Sequence, residues 1–154
     1  VFFGSIKRED GKITSPSEGF LSLLSLRYDV VIVEADGSRR LPLKFHTSRD
    51  PVIWGRTTAI VAIAGMWGYG RRVEDVVFGD DGEGVVDKKY LEYLISSPEG
   101  LLKAMDGERR NVVLFNGGDS VGEEVMSIFS SLSLPQYTSA FLVSIKEGKV
   151  YGSL

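Results

Sequence analysis

Glu34 and Asp36 close an apolar, β-branched run, residues 28–33, and Gly37 follows them. Alternate residues of an extended chain face the same side, so the two carboxylates can point together. Paired hard oxygens suit Mg²⁺, which takes one or two carboxylates and keeps several waters. In nucleotide hydrolases such an acid holds the metal or positions the attacking water. Glu34 and Asp36 are therefore candidates for both metal binding and catalysis. The local pattern also fits a solvated strand end at which Asp36-Gly37 simply turns.

The next segment is basic in an acidic chain. Arg39, Arg40, Lys44, Arg49 and Arg56 lie within residues 38–56, offset by Asp36 and Asp50. Guanidinium and ammonium groups beside a carboxylate pair could hold phosphate oxygens next to a metal. The alternative is a solvated loop whose arginines pair with the acidic stretch 74–87, which carries Glu74, Asp75, Asp80, Asp81, Glu83 and Asp87. His46 is the one histidine in the chain. A histidine metal cluster is thereby excluded, and a lone histidine in a loop is expected to be exposed.

Asn116-Gly117-Gly118-Asp119 follows an apolar strand and precedes a helical pattern. An asparagine and an aspartate three apart in this context resemble the base-reading loop of GTP-binding proteins. There the aspartate accepts from the ring and amino N–H groups of guanine, and the asparagine ties the loop together. Gly117 stands where that loop has a lysine. The same four residues also make a good turn, with Asp119 as a helix N-cap. Gly65, Gly68 and Gly70 could let backbone approach a ligand, but their spacing is not the dinucleotide fingerprint. No G-x-x-x-x-G-K-[ST] occurs in these residues, and one histidine supports no convincing nucleophilic triad.

These segments need a scaffold, and the chain can build one. It has 154 residues, 43% of them hydrophobic, which suffices for a core. It has no cysteine and a formal charge of −3. Disulfides and thiolate chemistry are excluded, and a globally electrostatic nucleic-acid binder is disfavoured. No apolar run is long enough to span a bilayer, and a cytoplasmic location is expected. Asp10-Gly11 suggests a hairpin within residues 1–16. Ser15-Pro16-Ser17-Glu18 reads as a helix start, with Leu21, Leu23, Leu24 and Leu26 behind it. Residues 28–33, 58–64, 111–115 and 139–145 read as strands, the first three buried on both faces. Asp87 is expected to cap a helix through Leu94. A further helix is expected from Ser97, with Leu101, Leu102 and Met105 inward. Another is expected over 120–131, presenting Val121, Val125, Ile128 and Phe129. Val150-Tyr151 reads as an edge strand. Alternating strands and helices predict a three-layer α/β domain with a mostly parallel sheet. Segments 34–40, 65–71 and 116–119 then share the edge where such sheets bind ligands.

The run from Asp29 to Lys44, DVVIVEADGSRRLPLK, resembles the central signature of the YqeC-like proteins, described as accessory proteins of selenium-dependent molybdenum hydroxylases. Asp50-Pro51-Val52-Ile53, the strand ending Ala64-Gly65, Ser97-Pro98-Glu99-Gly100 and the strand before Asn116 follow in matching order. The resemblance covers most of residues 12–145. It implies a P-loop nucleotide-binding core akin to metallochaperone GTPases, with Glu34 and Gly37 at matching positions. It also implies that the phosphate loop and its strand precede Val1. Residues 1–154 would then be one α/β domain forming the C-terminal part of a larger nucleotide-binding domain.

The expectation is thus a nucleotide-binding accessory protein for maturation of a molybdenum- and selenium-dependent hydroxylase, using Mg²⁺ and GTP or ATP. Its partners would be nucleotide and the hydroxylase or its cofactor, with no nucleic acid and no membrane. Glu34 and Asp36 would handle metal and water. Gly37, Arg39, Arg40 and Lys44 would face phosphates or the client cofactor. Asn116 and Asp119 would contact the base. Without the phosphate loop, binding would be weak and hydrolysis poor, so enzymatic activity is left open. The alternatives are a non-catalytic interaction module using the basic loop 39–56, or a degenerate remnant without activity.

Overall fold

Ser17 accepts a hydrogen bond from the Phe20 N–H at 3.3 Å and starts helix α1, Glu18–Arg27. The computed structural model describes Glu9, residues 14–120 and residues 122–154. The expected hairpin lies almost wholly outside them, as does Val121. The chain forms two compact units, residues 1–34 and 35–154.

In the first unit, α1 carries Glu18 in its first turn and Arg27 in its last, each charge matched to the helix dipole. Leu21 and Leu24 are its buried residues. The strand expected over 28–33 is not formed. Val30 and Ile32 are 75% and 91% exposed, and the segment pairs with no described strand. A β-branched run becomes a buried strand only where neighbouring strands take up its N–H and C=O groups.

The second unit runs β1 (Leu43–Lys44), β2 (Ala59–Gly65), α2 (Val73–Val76), β3 (Val77–Phe78), α3 (Lys88–Ser96), β4 (Arg110–Asn116), α4 (Glu123–Ser130), β5 (Thr138–Ser144) and β6 (Lys149–Ser153). The main sheet has the order β2-β4-β5-β6. Its first three strands are parallel, and β6 returns antiparallel. The protein is thus mixed α/β, with open sheets dominated by parallel pairing. A second, two-stranded parallel sheet joins β1 to β3. Its strands are too short to carry a periodicity, and the sequence alone does not show them.

Along β4, buried residues alternate with half-buried ones, so Val113 and Phe115 reach the core while Val112 and Leu114 stay partly open. On β2, Val61 and Ile63 are exposed. The expectation of strands buried on both faces is therefore corrected to strands with one fully covered face. Phe115 meets Phe129 of α4 edge-on at 5.6 Å. Both side chains are almost wholly buried, with Ala140 and Leu142 of β5 beside them in the core. Burying one such aromatic contributes about 1.5–3 kcal/mol.

Helix α3 begins as expected, with Asp87 accepting from the Tyr90 N–H at 2.8 Å. The helix expected from Ser97 is replaced by turns. The Leu101 N–H bonds back to the Leu94 carbonyl at 2.8 Å, folding the segment onto the end of α3. Leu101 and Met105 are buried all the same. Helix α4 starts at Glu123, later than the pattern suggested, and buries Val125, Ile128 and Phe129.

Candidate functional site

Gly65 at the end of β2 lies in register with Asn116 at the end of β4, and Asn116 with Val143 of β5. Parallel pairing therefore brings the 65–70 and 116–119 segments to one edge, the carboxyl edge where open α/β sheets bind ligands. The Pro42 carbonyl accepts from the Gly65 N–H at 2.8 Å, which brings the chain just after Arg39-Arg40 to the same edge.

The Asn116 side chain is spent on the loop. Its Oδ1 accepts from the Ile145 N–H at 2.9 Å. The Gly117 and Gly118 N–H groups both donate to the Val143 carbonyl, at 2.8 and 2.9 Å. Gly117 has φ +117°, a conformation that L side chains rarely adopt. At Gly118 a β-carbon would fall 2.6 Å from the Tyr151 ring. Asp119 does not cap α4. The cap position is Gly122, with no side-chain hydrogen bond. Asp119 is exposed, and no hydrogen bond or ion pair engages its carboxylate among the described residues. The loop is tied down at its asparagine and presents its aspartate to solvent.

Asp36 and Lys44 are placed differently from Asp119. The Lys44 side chain is 9% exposed and bonds to Asp50 and, at 3.1 Å, to the Gly37 carbonyl. Its Nζ also lies 2.9 Å from Asp36 Oδ2. Burial works against the charge on Lys44, but Asp50 and Asp36 outweigh it and raise its pKa. Burial likewise opposes the charge on Asp50. Hydrogen bonds from Lys44 and from the Thr47 hydroxyl and N–H win, and hold Asp50 well below the usual carboxylate range. His46 is not an exposed loop residue. Its Nε2 is 2.9 Å from Asp36 Oδ2, and its Nδ1 is 2.9 Å from the Gly100 carbonyl. The His46 N–H also donates to the Glu99 carbonyl at 2.7 Å. His46 thereby fastens its own segment to Glu99 and Gly100, more than fifty positions away.

The Lys44 ammonium and the His46 ring both lie 2.9 Å from Asp36 Oδ2, on the side where a metal ion would have to approach that oxygen. Among the described residues, no group of three or more His, Asp or Glu side chains could hold a metal ion. Glu34, in the first unit, is exposed and makes no ion pair among the described residues.

Arg39 and Arg40 occupy the centre of a turn closed by the Leu41 N–H and Ser38 carbonyl at 3.0 Å. Their φ angles are 53° and 68°. Positive φ at both central positions is the type I′ pattern, which favours Asn-Gly. Two arginines there cost about 1 kcal/mol or more each. Arg39 sits over the Phe78 ring at 5.1 Å. Among the described residues, none of Arg39, Arg40, Arg49 or Arg56 pairs with the acidic stretch; Arg72 pairs with Glu74 instead, at 2.6 Å. Gly37 lends its carbonyl to Lys44.

Trp67 carries no motif in the sequence, and Asp50 and Tyr151 read there only as a charge offsetting the arginines and as part of an edge strand. The signal for Asp50 was its place six residues after Lys44 beside Pro51, in a segment without periodicity. For Trp67 it was a tryptophan among glycines directly after a strand.

The YqeC protein family matches this chain over residues 1–81. No curated protein and no solved structure matches it. Among the described residues, no helix is long and apolar enough to cross a membrane.

Proposed function

Because the chain belongs to the YqeC protein family, we propose that it is an accessory protein for maturation of a molybdenum- and selenium-dependent hydroxylase, and that it binds a nucleotide at the carboxyl edge of its parallel sheet. The observation that carries nucleotide binding is the Asn116–Asp119 loop. Asn116 is consumed in holding the loop to Ile145, while Asp119 is exposed and uncommitted. That division of labour suits recognition of a base edge bearing N–H donors, because an ionised carboxylate accepts and cannot donate. Arg39 and Arg40 supply exposed cationic charge near the same edge, suited to phosphate oxygens. Lys44 holds Asp36, Gly37 and Asp50, the residues that lead into and follow that turn.

Calorimetric titration with Mg-GTP and with Mg-ATP tests this proposal. Saturable binding that Asp119→Ala weakens supports it, and failure of both nucleotides to bind refutes it. A second role has its own support. Arg39 and Arg40 are held in a costly conformation without acidic partners, as an interaction module for an anionic client would require. Co-purification with a hydroxylase, lost in an Arg39→Ala/Arg40→Ala variant that still binds nucleotide, would favour it.

A further inference from the structure

Asp119 could read the edge of a base, but a base also needs a surface for its flat face. Resting on the nucleotide-binding proposal, we propose that Trp67 is that surface, and that the ligand ring carries an amino group beside a ring N–H, the edge shared by guanine and pterins. Trp67 lies in a 3₁₀ turn, Met66–Gly68, directly after β2. Its ring is so near Gly65 that a β-carbon there would fall 2.7 Å from Cη2 and Cζ2. A β-carbon on Gly117 would lie 3.4 Å from Cε3. The indole therefore spans the ends of β2 and β4, seated on two glycines, one of which belongs to the base-reading loop.

A tryptophan kept only for packing is largely covered and gives its N–H to a partner when buried. Trp67 is 47% exposed, and its indole N–H makes no hydrogen bond among the described residues. Pro42 backs Gly65 from within the same cluster, with the missing β-carbon 2.6 Å from its Cβ. The ring is thus supported on the protein side and open to solvent. Stacking on such a ring accepts any planar heterocycle. Selection comes from Asp119, which accepts two adjacent N–H donors and repels an edge made of acceptors. Adenine presents only one such donor group beside an unprotonated ring nitrogen, and is disfavoured.

The test uses the full chain with GDP, ADP and neopterin. The chain has two tryptophans, so a Trp54→Phe background leaves Trp67 as the sole indole fluorophore. GDP is expected to quench its emission saturably, or neopterin to bind by calorimetry, with ADP weaker than either. The better of GDP and neopterin identifies the source of the ring. Trp67→Ala should weaken that ligand about tenfold, and Trp67→Phe should restore most of the loss. If the ligand binds wild type, is weakened by Asp119→Ala and is unaffected by Trp67→Ala, the stacking role is overturned while nucleotide binding stands. If none of the three ligands binds wild type, both are overturned.

Discussion

Lys44 Nζ stands 2.9 Å from Asp36 Oδ2, so a lysine and one of the two acids that the sequence offers for phosphate and metal are turned toward each other. With Asp50 and His46 they form a polar knot that also ties down the Gly37 carbonyl, just before the arginine turn. Replacing Lys44 by Met leaves two carboxylates without their cation. Lys44→Met should destabilise the fold by on the order of 3 kcal/mol, measured by urea unfolding at neutral pH.

The same knot sets a pH dependence. The pKa of Asp50 is depressed in the folded state, so its contribution is present above its ordinary value of 3.8 and is lost as pH falls below it. The pKa of Lys44 is raised, so its contribution is present below 10.5 and is lost as pH rises beyond it. Unfolding free energy should fall at both extremes, below about pH 4 and above about pH 10.5. An Asp50→Asn variant should be less stable at neutral pH and should lose less stability between pH 4 and pH 2 than wild type.

Arg39 and Arg40 trade stability for exposed charge. An Arg39→Asn/Arg40→Gly variant takes the residues that a type I′ turn favours. It also gives up the stacking of Arg39 on Phe78, worth about 0.5–1 kcal/mol. The net change expected is a gain of about 1 kcal/mol in stability and weaker binding of inorganic tripolyphosphate. A variant that loses stability would show that the turn is not strained.

Gly118 is held to glycine by its neighbour. A methyl group there meets the Tyr151 ring at 2.6 Å. Gly118→Ala should cost about 1–2 kcal/mol, and much of that should return in Gly118→Ala/Tyr151→Ala. A double-mutant cycle by thermal unfolding measures the coupling. Additive effects would mean that the two residues do not meet.

Much of the sheet was legible because its strands carry their own signals. Residues 58–64, 111–115 and 139–145 are β-branched or aromatic runs bounded by turns, and they became β2, β4 and β5 with boundaries shifted by a residue or so. Asp87 and Ser17 were legible as caps for the same local reason. Residues 28–33 have an equally strong strand pattern, yet pairing is a property of two segments and cannot be read from one. The two faces of β2 show the same limit. The pattern of residues 58–64 says apolar throughout, but which face is covered depends on elements distant in sequence. At the candidate site, the strand-end loops were legible from glycine and polar punctuation. The engagement of Asp36 was not, because Lys44 and His46 reach it only once the 44–50 segment has folded against Glu99 and Gly100. Asp119's freedom was also hidden, since the helix start moved from 120 to Glu123 and left the cap to Gly122.

The most direct test compares Asp119→Ala with Asn116→Ala by calorimetry against Mg-GTP and Mg-ATP, with thermal unfolding of each variant alongside. Asp119 makes no hydrogen bond or ion pair among the described residues and lies near the like charge of Glu147, so its loss should leave stability within about 0.5 kcal/mol and weaken the preferred nucleotide about tenfold or more. Loss of Asn116 should cost about 1 kcal/mol of stability through the broken Ile145 bond, and weaken binding through the loop. A wild-type chain that binds neither nucleotide, or an Asp119→Ala chain that binds as wild type does, would contradict base recognition at this edge.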